Sequence, residues 1–161
     1  MGIDYKVCEE QRIADRLNEM NVTAKPRIVI VESDLPTLEL YRRELSSDYE
    51  VLATLDVTEA LAMAHMAGIC AVVLEPALGG GKGWELLAAL GRTAIAARPP
   101  VILCSTSDER RKGMTLGAAA FLVKPVLPTT LHQVLQRIIA KRPLAGIGNE
   151  GFAGNTSLSL T

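Results

Sequence analysis

Aromatic side chains are scarce in this chain: one Trp, three Tyr and two Phe make up 4% of its 161 residues. A basic surface interleaved with stacking aromatics marks nucleic-acid binding, and with a formal net charge of −1 the overall composition supplies neither part of it. Cysteine is equally sparse. Cys8, Cys70 and Cys104 are isolated and odd in number, and the last two sit in apolar runs, the pattern of buried thiols rather than of a disulfide frame or zinc site. No apolar run approaches the roughly 20 residues of a membrane span. The N-terminal segment is charged throughout, unlike a secretory signal. These absences lead us to expect a soluble cytoplasmic protein without a membrane or nucleic-acid partner.

What the chain does have is apolar residues, at 48%, enough for one sizeable core. They come in two patterns. Short β-branched runs, "RIVIV" from Arg27, "VLATL" from Val51, "CAVVL" from Cys70, "PVILC" from Pro100 and "AFLV" from Ala120, suit strands buried on both faces. Between them the spacing is helical: Leu38, Tyr41 and Leu45; Ala60, Leu61 and Ala64; Leu86, Leu87 and Leu90; Leu131, Val134, Leu135, Ile138 and Ile139. Asp34 with Pro36, Asp56 ahead of Glu59, Ser107 with Asp108 and Glu109, and Thr129 mark the expected helix starts. Strand–helix alternation with short links predicts an α/β fold, a doubly wound parallel sheet with helices on both sides.

The domain so read covers residues 26–142. Residues 1–25 form an extension in which Ile13, Leu17 and Met20 share one stripe of an expected helix from Asp4 to Asn21. Residues 143–161, rich in Gly, Asn, Ser and Thr, cannot bury enough apolar surface to offset their ordering entropy, so a flexible tail is expected.

In such sheets ligands bind beyond the carboxyl ends of the strands, where strand order reverses. An order of 2-1-3-4-5 puts that reversal between the first and third strands. Glu32 and Ser33 then face Glu75, with Ser105 after the fourth strand and Lys124 and Pro125 after the fifth. On these residues the sequence resembles the receiver domain of two-component response regulators, over essentially all of Pro26 to Arg142. That family, with a flavodoxin-like (βα)5 fold, opens with an acidic cluster after its first strand, here "VESD". It places a phosphate-accepting aspartate eight residues before a glycine, as Glu75 stands before Gly83. A Ser or Thr follows the fourth strand, here Ser105. Lys-Pro follows the fifth, here Lys124 and Pro125, with a switch aromatic, here Phe121, three residues earlier.

The resemblance also defines what is missing. Glu75 stands in place of the acceptor aspartate, and its extra methylene moves the carboxylate by roughly one bond length, on a scale where 1 Å costs about 100-fold in rate. Ser33 stands where the family has its most direct magnesium ligand, so an anionic oxygen is lost from a site for a hard cation. The expectation is a degenerate site of Glu32, Ser33, Glu75, Ser105 and Lys124 with weak or absent magnesium binding, no cofactor and no enzymatic turnover. Such a pseudo-receiver would act by protein–protein interaction with a histidine kinase or an effector, through the surface of the fourth helix, fifth strand and fifth helix, with a homodimer possible. Within that reading Glu75 either imitates a phosphorylated aspartate or simply neutralises Lys124, and two further alternatives remain: a receiver phosphorylated on Asp34, Ser33 or Ser105, or a small nucleotide-binding flavodoxin-like protein.

The glycine run "LGGGKG" is a poor phosphate loop. A Walker motif needs Ser or Thr after its Gly-Lys and a glycine where Pro76 stands; here Gly83 follows Lys82. A turn with positive φ before a helix near Trp84 is the expected use of the glycines. His65 and His132 have no acidic or thiol partner at ligand spacing and are given no role. The run Arg110 to Lys112 is read as a solvated face, and Trp84 and Met114 as core or rim packing.

Overall fold

A computed structural model of the chain describes residues 24–94 and 98–141. The expected N-terminal helix and C-terminal tail lie outside the described residues. Five strands and five helices alternate: β1 Arg27–Val31, α1 Leu35–Leu45, β2 Glu50–Thr54, α2 Val57–Ala64, β3 Ile69–Leu74, α3 Leu78–Gly91, β4 Val101–Ser105, α4 Arg110–Thr115, β5 Ala120–Val123 and α5 Pro128–Ala140. All neighbouring strands are parallel, in the order β2-β1-β3-β4-β5.

The continuous apolar runs are explained by the two cores. Strand side chains alternate between faces, so Val29 and Val31 join one core while Ile28 and Ile30 join the other. The first core packs α2 and α3 on the sheet through Ala60, Ala64, Leu86, Leu87 and Leu90. The second packs α1 and α5 through Leu38, Tyr41, Leu45, Leu131 and Leu135. Of the expected helical stripes, Leu61, Val134, Ile138 and Ile139 are only partly buried and flank these cores.

Helix starts agree with the sequence in two places and differ in two. Asp34 and Asp56 cap α1 and α2, each accepting from the amide three residues on, Thr37 at 3.0 Å and Glu59 at 2.8 Å. The helix start expected at Ser107 lies instead at Arg110, after Glu109, and Asp108 accepts from the Arg110 amide at 3.3 Å. Thr129 is inside α5, which begins at Pro128 after Leu127. Proline is tolerated at a first helical position because its missing N–H has no intrahelical acceptor there, and this outweighs capping by threonine.

Gly79, Gly80 and Gly81 all have left-handed φ, 60°, 75° and 100°, and the regular part of α3 follows them. The glycine run is therefore a left-handed turn. Gly83 has a different reason: a Cβ there would lie 2.5 Å from the Glu75 carbonyl oxygen and 2.7 Å from the Pro76 Cα. Only glycine lets α3 close onto the end of β3, and that contact fixes the backbone of Glu75.

Candidate functional site

The topology sets up the site before any side chain is considered. Val31 of β1 pairs with Leu74 of β3, so Glu32 and Glu75 leave adjacent strands side by side, and the Glu75 amide donates to the Val31 carbonyl at 2.9 Å. Lys124 leaves β5, two strand positions from β3. With strands about 4.8 Å apart, it takes a long lysine stem and the extended arm of a glutamate to close that distance.

They do close it. Lys124 Nζ lies 2.7 Å from Glu32 Oε2 and 3.1 Å from Glu75 Oε1. On the other side Glu75 Oε2 accepts from the Ser33 amide at 2.9 Å and from the Ser33 hydroxyl. Glu32 Oε1 also accepts from the Asp34 amide at 3.1 Å. Glu32 and Glu75 are buried, at 2% and 7% exposure, and buried carboxylates must be hydrogen-bonded or paired.

One ammonium between two carboxylates leaves an excess negative charge, and the carboxylates share it unequally. Burial alone would raise the Glu75 carboxyl, but the side-chain and backbone hydrogen bonds of Ser33, with Glu32 and Lys124, hold it down to about 2. Glu32 goes the other way, raised chiefly by burial against the opposing pull of Lys124 and the Asp34 amide. For Lys124 burial works against the charge, yet its bonds to Glu32 and Glu75 outweigh it and its pKa rises.

These directions predict a pH dependence. A carboxyl held below its ordinary 4.5 contributes stability that is present above that value and lost as pH falls toward about 2. Glu32, raised, contributes with the opposite sign, and its share fades as pH rises above 4.5. Lys124 contributes below its ordinary 10.5, and that share is lost only at higher pH. Glu75→Gln should therefore flatten the loss of stability between about pH 4.5 and 2. Urea midpoints across that range are the check; an acid limb unchanged by the substitution would count against the assignment.

Ser105 does not join this network. It is buried at the end of β4, at 1% exposure, but its hydroxyl accepts from the Ser107 amide at 3.2 Å. The sequence had placed it on the shared rim; the nearby loop amide claims its oxygen instead. Asp34 is exposed and occupied as the α1 cap, with its carboxyl held down by the Thr37 hydroxyl and amide. Cys104 lies beneath the site, and burial pushes its thiol up to about 12, as expected of an inert sulfur. Cys70, expected to be buried, is half-buried.

Phe121 is turned inward, at 3% exposure, and Gly113 of α4 leaves the room it fills. A Cβ on Gly113 would lie 2.7 Å from Leu103 Cδ1 and 2.9 Å from Phe121 Cδ2. The sequence reading passed over this glycine, although an isolated glycine in a helical segment signals a close approach. Met114, expected to pack, is 46% exposed. Trp84 is half-buried under the Lys112 ammonium, 4.0 Å from the ring centre. His132, given no acidic partner from spacing, lies 3.3 Å from Asp48; His65 is 3.1 Å from the Thr93 hydroxyl. Among the described residues no group of His, Cys, Asp and Glu is suited to hold a metal ion, and no helix is long and apolar enough to cross a membrane.

A five-stranded 2-1-3-4-5 sheet with acidic residues after β1 and β3 and Lys-Pro after β5 invites comparison with known proteins. The response regulator receiver domain profile matches residues 28–136. The chain belongs to that family. It is 32% identical over 120 residues to the transcriptional regulatory protein HprR of Escherichia coli K12, covering 71% of this chain and 51% of the relative. The chain thus spans about half the length of that regulator. Among solved structures it is similar to the non-phosphorylated HemR receiver domain of Leptospira biflexa, with 30% identity and a TM-score of 0.65, covering 74% and 98% of the two chains. The chemotaxis protein CheY4 of Vibrio cholerae gives 26% identity and a TM-score of 0.64, covering 71% and 99%. The receiver fold and a place in two-component signalling follow from this membership.

Within the family a magnesium ion is implied at the acidic rim. The residues present here do not fit it. Ser33 supplies a hydroxyl that is spent on Glu75, and the space between Glu32 and Glu75 is held by the Lys124 ammonium. A hard divalent cation prefers several anionic oxygens in near-octahedral array, and here both buried carboxylates are already engaged by the chain's own ammonium and hydrogen-bond donors.

Proposed function

We propose that this receiver domain signals without being phosphorylated, as a binding module with no catalytic turnover and no bound metal, whose output surface is the flank formed by α4, β5 and α5. The observation that carries this reading is the Lys124 ammonium bridging Glu32 and Glu75 while Ser33 holds the other Glu75 oxygen. A phosphoryl donor meets there a weakly basic carboxylate with its lone pairs engaged, displaced by one methylene from where an aspartate would aim. The partners in view are a histidine kinase or a downstream effector, as for receivers generally, in a cytoplasmic setting.

Two ways of signalling without phosphate make different demands. If Glu75 imitated a phosphorylated aspartate, its charge would draw Ser105 in and Phe121 would follow. Phe121 is inward, but Ser105 is held by the Ser107 amide and Glu75 by Lys124 and Ser33. The room left by Gly113 and the packing against Leu103 accommodate the ring without a contribution from Glu75. This favours a fixed docking surface over a phosphate mimic.

The experiment is a pair of substitutions. Glu75→Gln is expected to leave Phe121 buried, whereas Gly113→Ala, which overpacks its pocket at a cost of about 1–3 kcal/mol, should displace it. Crystal structures or aromatic NMR shifts of both variants provide the comparison. A Phe121 that turns outward in Glu75→Gln would restore the mimic reading.

A further inference from the structure

The proposed output flank has a charge pattern that the net charge conceals. Between Arg110 and Arg142 the sequence has seven Lys or Arg and no Asp or Glu, leaving ten cations against all 18 acidic residues in the remainder. The fold gathers the described part of this segment, residues 110–141, on one side. Among the described residues β5 is an edge strand paired only with β4. α4 packs on one face of the sheet edge at Gly113, against Leu103 and Phe121, and α5 on the other through Leu131 and Leu135.

Apolar side chains are exposed on the same flank: Met114 at 46%, Leu116 at 37%, Val123 at 39% and Leu127 at 65%. The cations around them are largely uncommitted. Among the described residues, Arg111, Arg137 and Lys141 are exposed and take part in no ion pair. Arg110 and Lys112 form exposed ion pairs with Asp108 and Glu109, at 3.9 and 3.5 Å, pairs that contribute little in water, and lie over the Phe121 and Trp84 rings at 5.7 and 4.0 Å. Lys124 belongs to the site.

We infer that this flank docks an acidic, amphipathic segment of a partner protein. The inference rests on the α4–β5–α5 output reading above and adds the chemistry of the partner. A twofold contact between copies sets the same patch against itself, which here opposes Arg111, Arg137 and Lys141 to their own copies with acids at one border only, Asp108 and Glu109, both already facing Arg110 and Lys112, and like charges across an interface are strongly disfavoured. Nucleic acid satisfies the cations but gives the exposed Leu and Met side chains nothing to bury against, and Phe121 is not available for base stacking. Carboxylates interspersed with apolar anchors satisfy both features at once, with an apolar centre and a charged rim.

The test is selection of a random 16-residue peptide library on the unphosphorylated full chain, followed by titration of the enriched peptides. Peptides rich in Asp and Glu with several Leu, Ile or Phe are expected, shifting amide resonances of α4, β5 and α5. They should bind about tenfold more weakly to Arg111→Glu/Arg137→Glu and, to a lesser degree, to Arg111→Gln/Arg137→Gln, and weaken with salt. Enriched neutral or basic peptides on this same flank would overturn the acidic partner and leave the docking reading standing. No enrichment on the flank would overturn both. Tighter binding of a duplex DNA, or a concentration-dependent dimer abolished by Met114→Glu, would overturn the inference in favour of those occupants.

Discussion

Lys124→Met is expected to destabilise the domain by about 3 kcal/mol, because removing one partner of a buried ion pair leaves uncompensated charge behind. Here it would strand two carboxylates, with Glu32 and Glu75 at 2% and 7% exposure. They cannot both remain ionised so close together without the ammonium, so the variant should also take up a proton on folding near neutral pH and lose stability as pH rises. Adding Glu75→Gln to Lys124→Met should recover part of the loss, since it removes one of the stranded charges; the double-mutant cycle isolates that coupling. Urea unfolding of the four proteins gives the values. A loss below about 0.5 kcal/mol, the scale of surface substitutions, would mean that solvent already neutralises the carboxylates and that Lys124 is not the internal counter-ion described here.

The second large effect is a gain of function. Ser33→Asp/Glu75→Asp returns an anionic oxygen after β1 and withdraws the β3 carboxylate by one methylene, while Lys124, Gly83 and the backbone around them stay as they are. With acetyl phosphate and magnesium in the assay, the double variant should acquire an acid-labile phosphoryl group at least 100-fold faster than the parent, the scale on which a 1 Å correction of a reacting atom acts. Each single variant should fall well short, since Ser33→Asp alone keeps the misplaced nucleophile and Glu75→Asp alone keeps the missing ligand. A double variant as unreactive as the parent would locate the defect elsewhere, in the cationic glycine turn carrying Lys82 or in the position of Ser105.

Much of the fold was legible because its strands are buried on both faces. β1 and β5 coincide with "RIVIV" and "AFLV", and the other three runs lie within one residue of the strands observed. Two adjacent strands ending together also made Glu32 and Glu75 neighbours in advance, and the reach of a lysine from β5 follows from strand spacing. What failed were choices between short-range hydrogen bonds. Ser105 was expected just after the fourth strand and is in fact its last residue, but whether its hydroxyl turns to the site or to the Ser107 amide is a rotamer, and no periodicity encodes it. Ser107 and Thr129 were plausible caps that lost to a later start at Arg110 and to Pro128 in the first turn of α5. Ser33 was read as a lost metal ligand or an alternative phosphate acceptor, whereas the structure makes it the main hydrogen-bond donor to Glu75. The acid-free stretch after Glu109 was visible in the sequence all along; averaging it into a net charge of −1 removed the signal.

The claim on which the account turns is that the rim is closed by the chain's own ammonium and cannot accept phosphate. Intact-mass spectrometry of the unaltered chain after incubation with acetyl phosphate and magnesium addresses it most directly, with the Ser33→Asp/Glu75→Asp protein alongside. The account predicts an unmodified mass for the parent under conditions that label the double variant. A stoichiometric, acid-labile phosphoryl adduct on the parent, whether on Glu75, Asp34, Ser33 or Ser105, would contradict it.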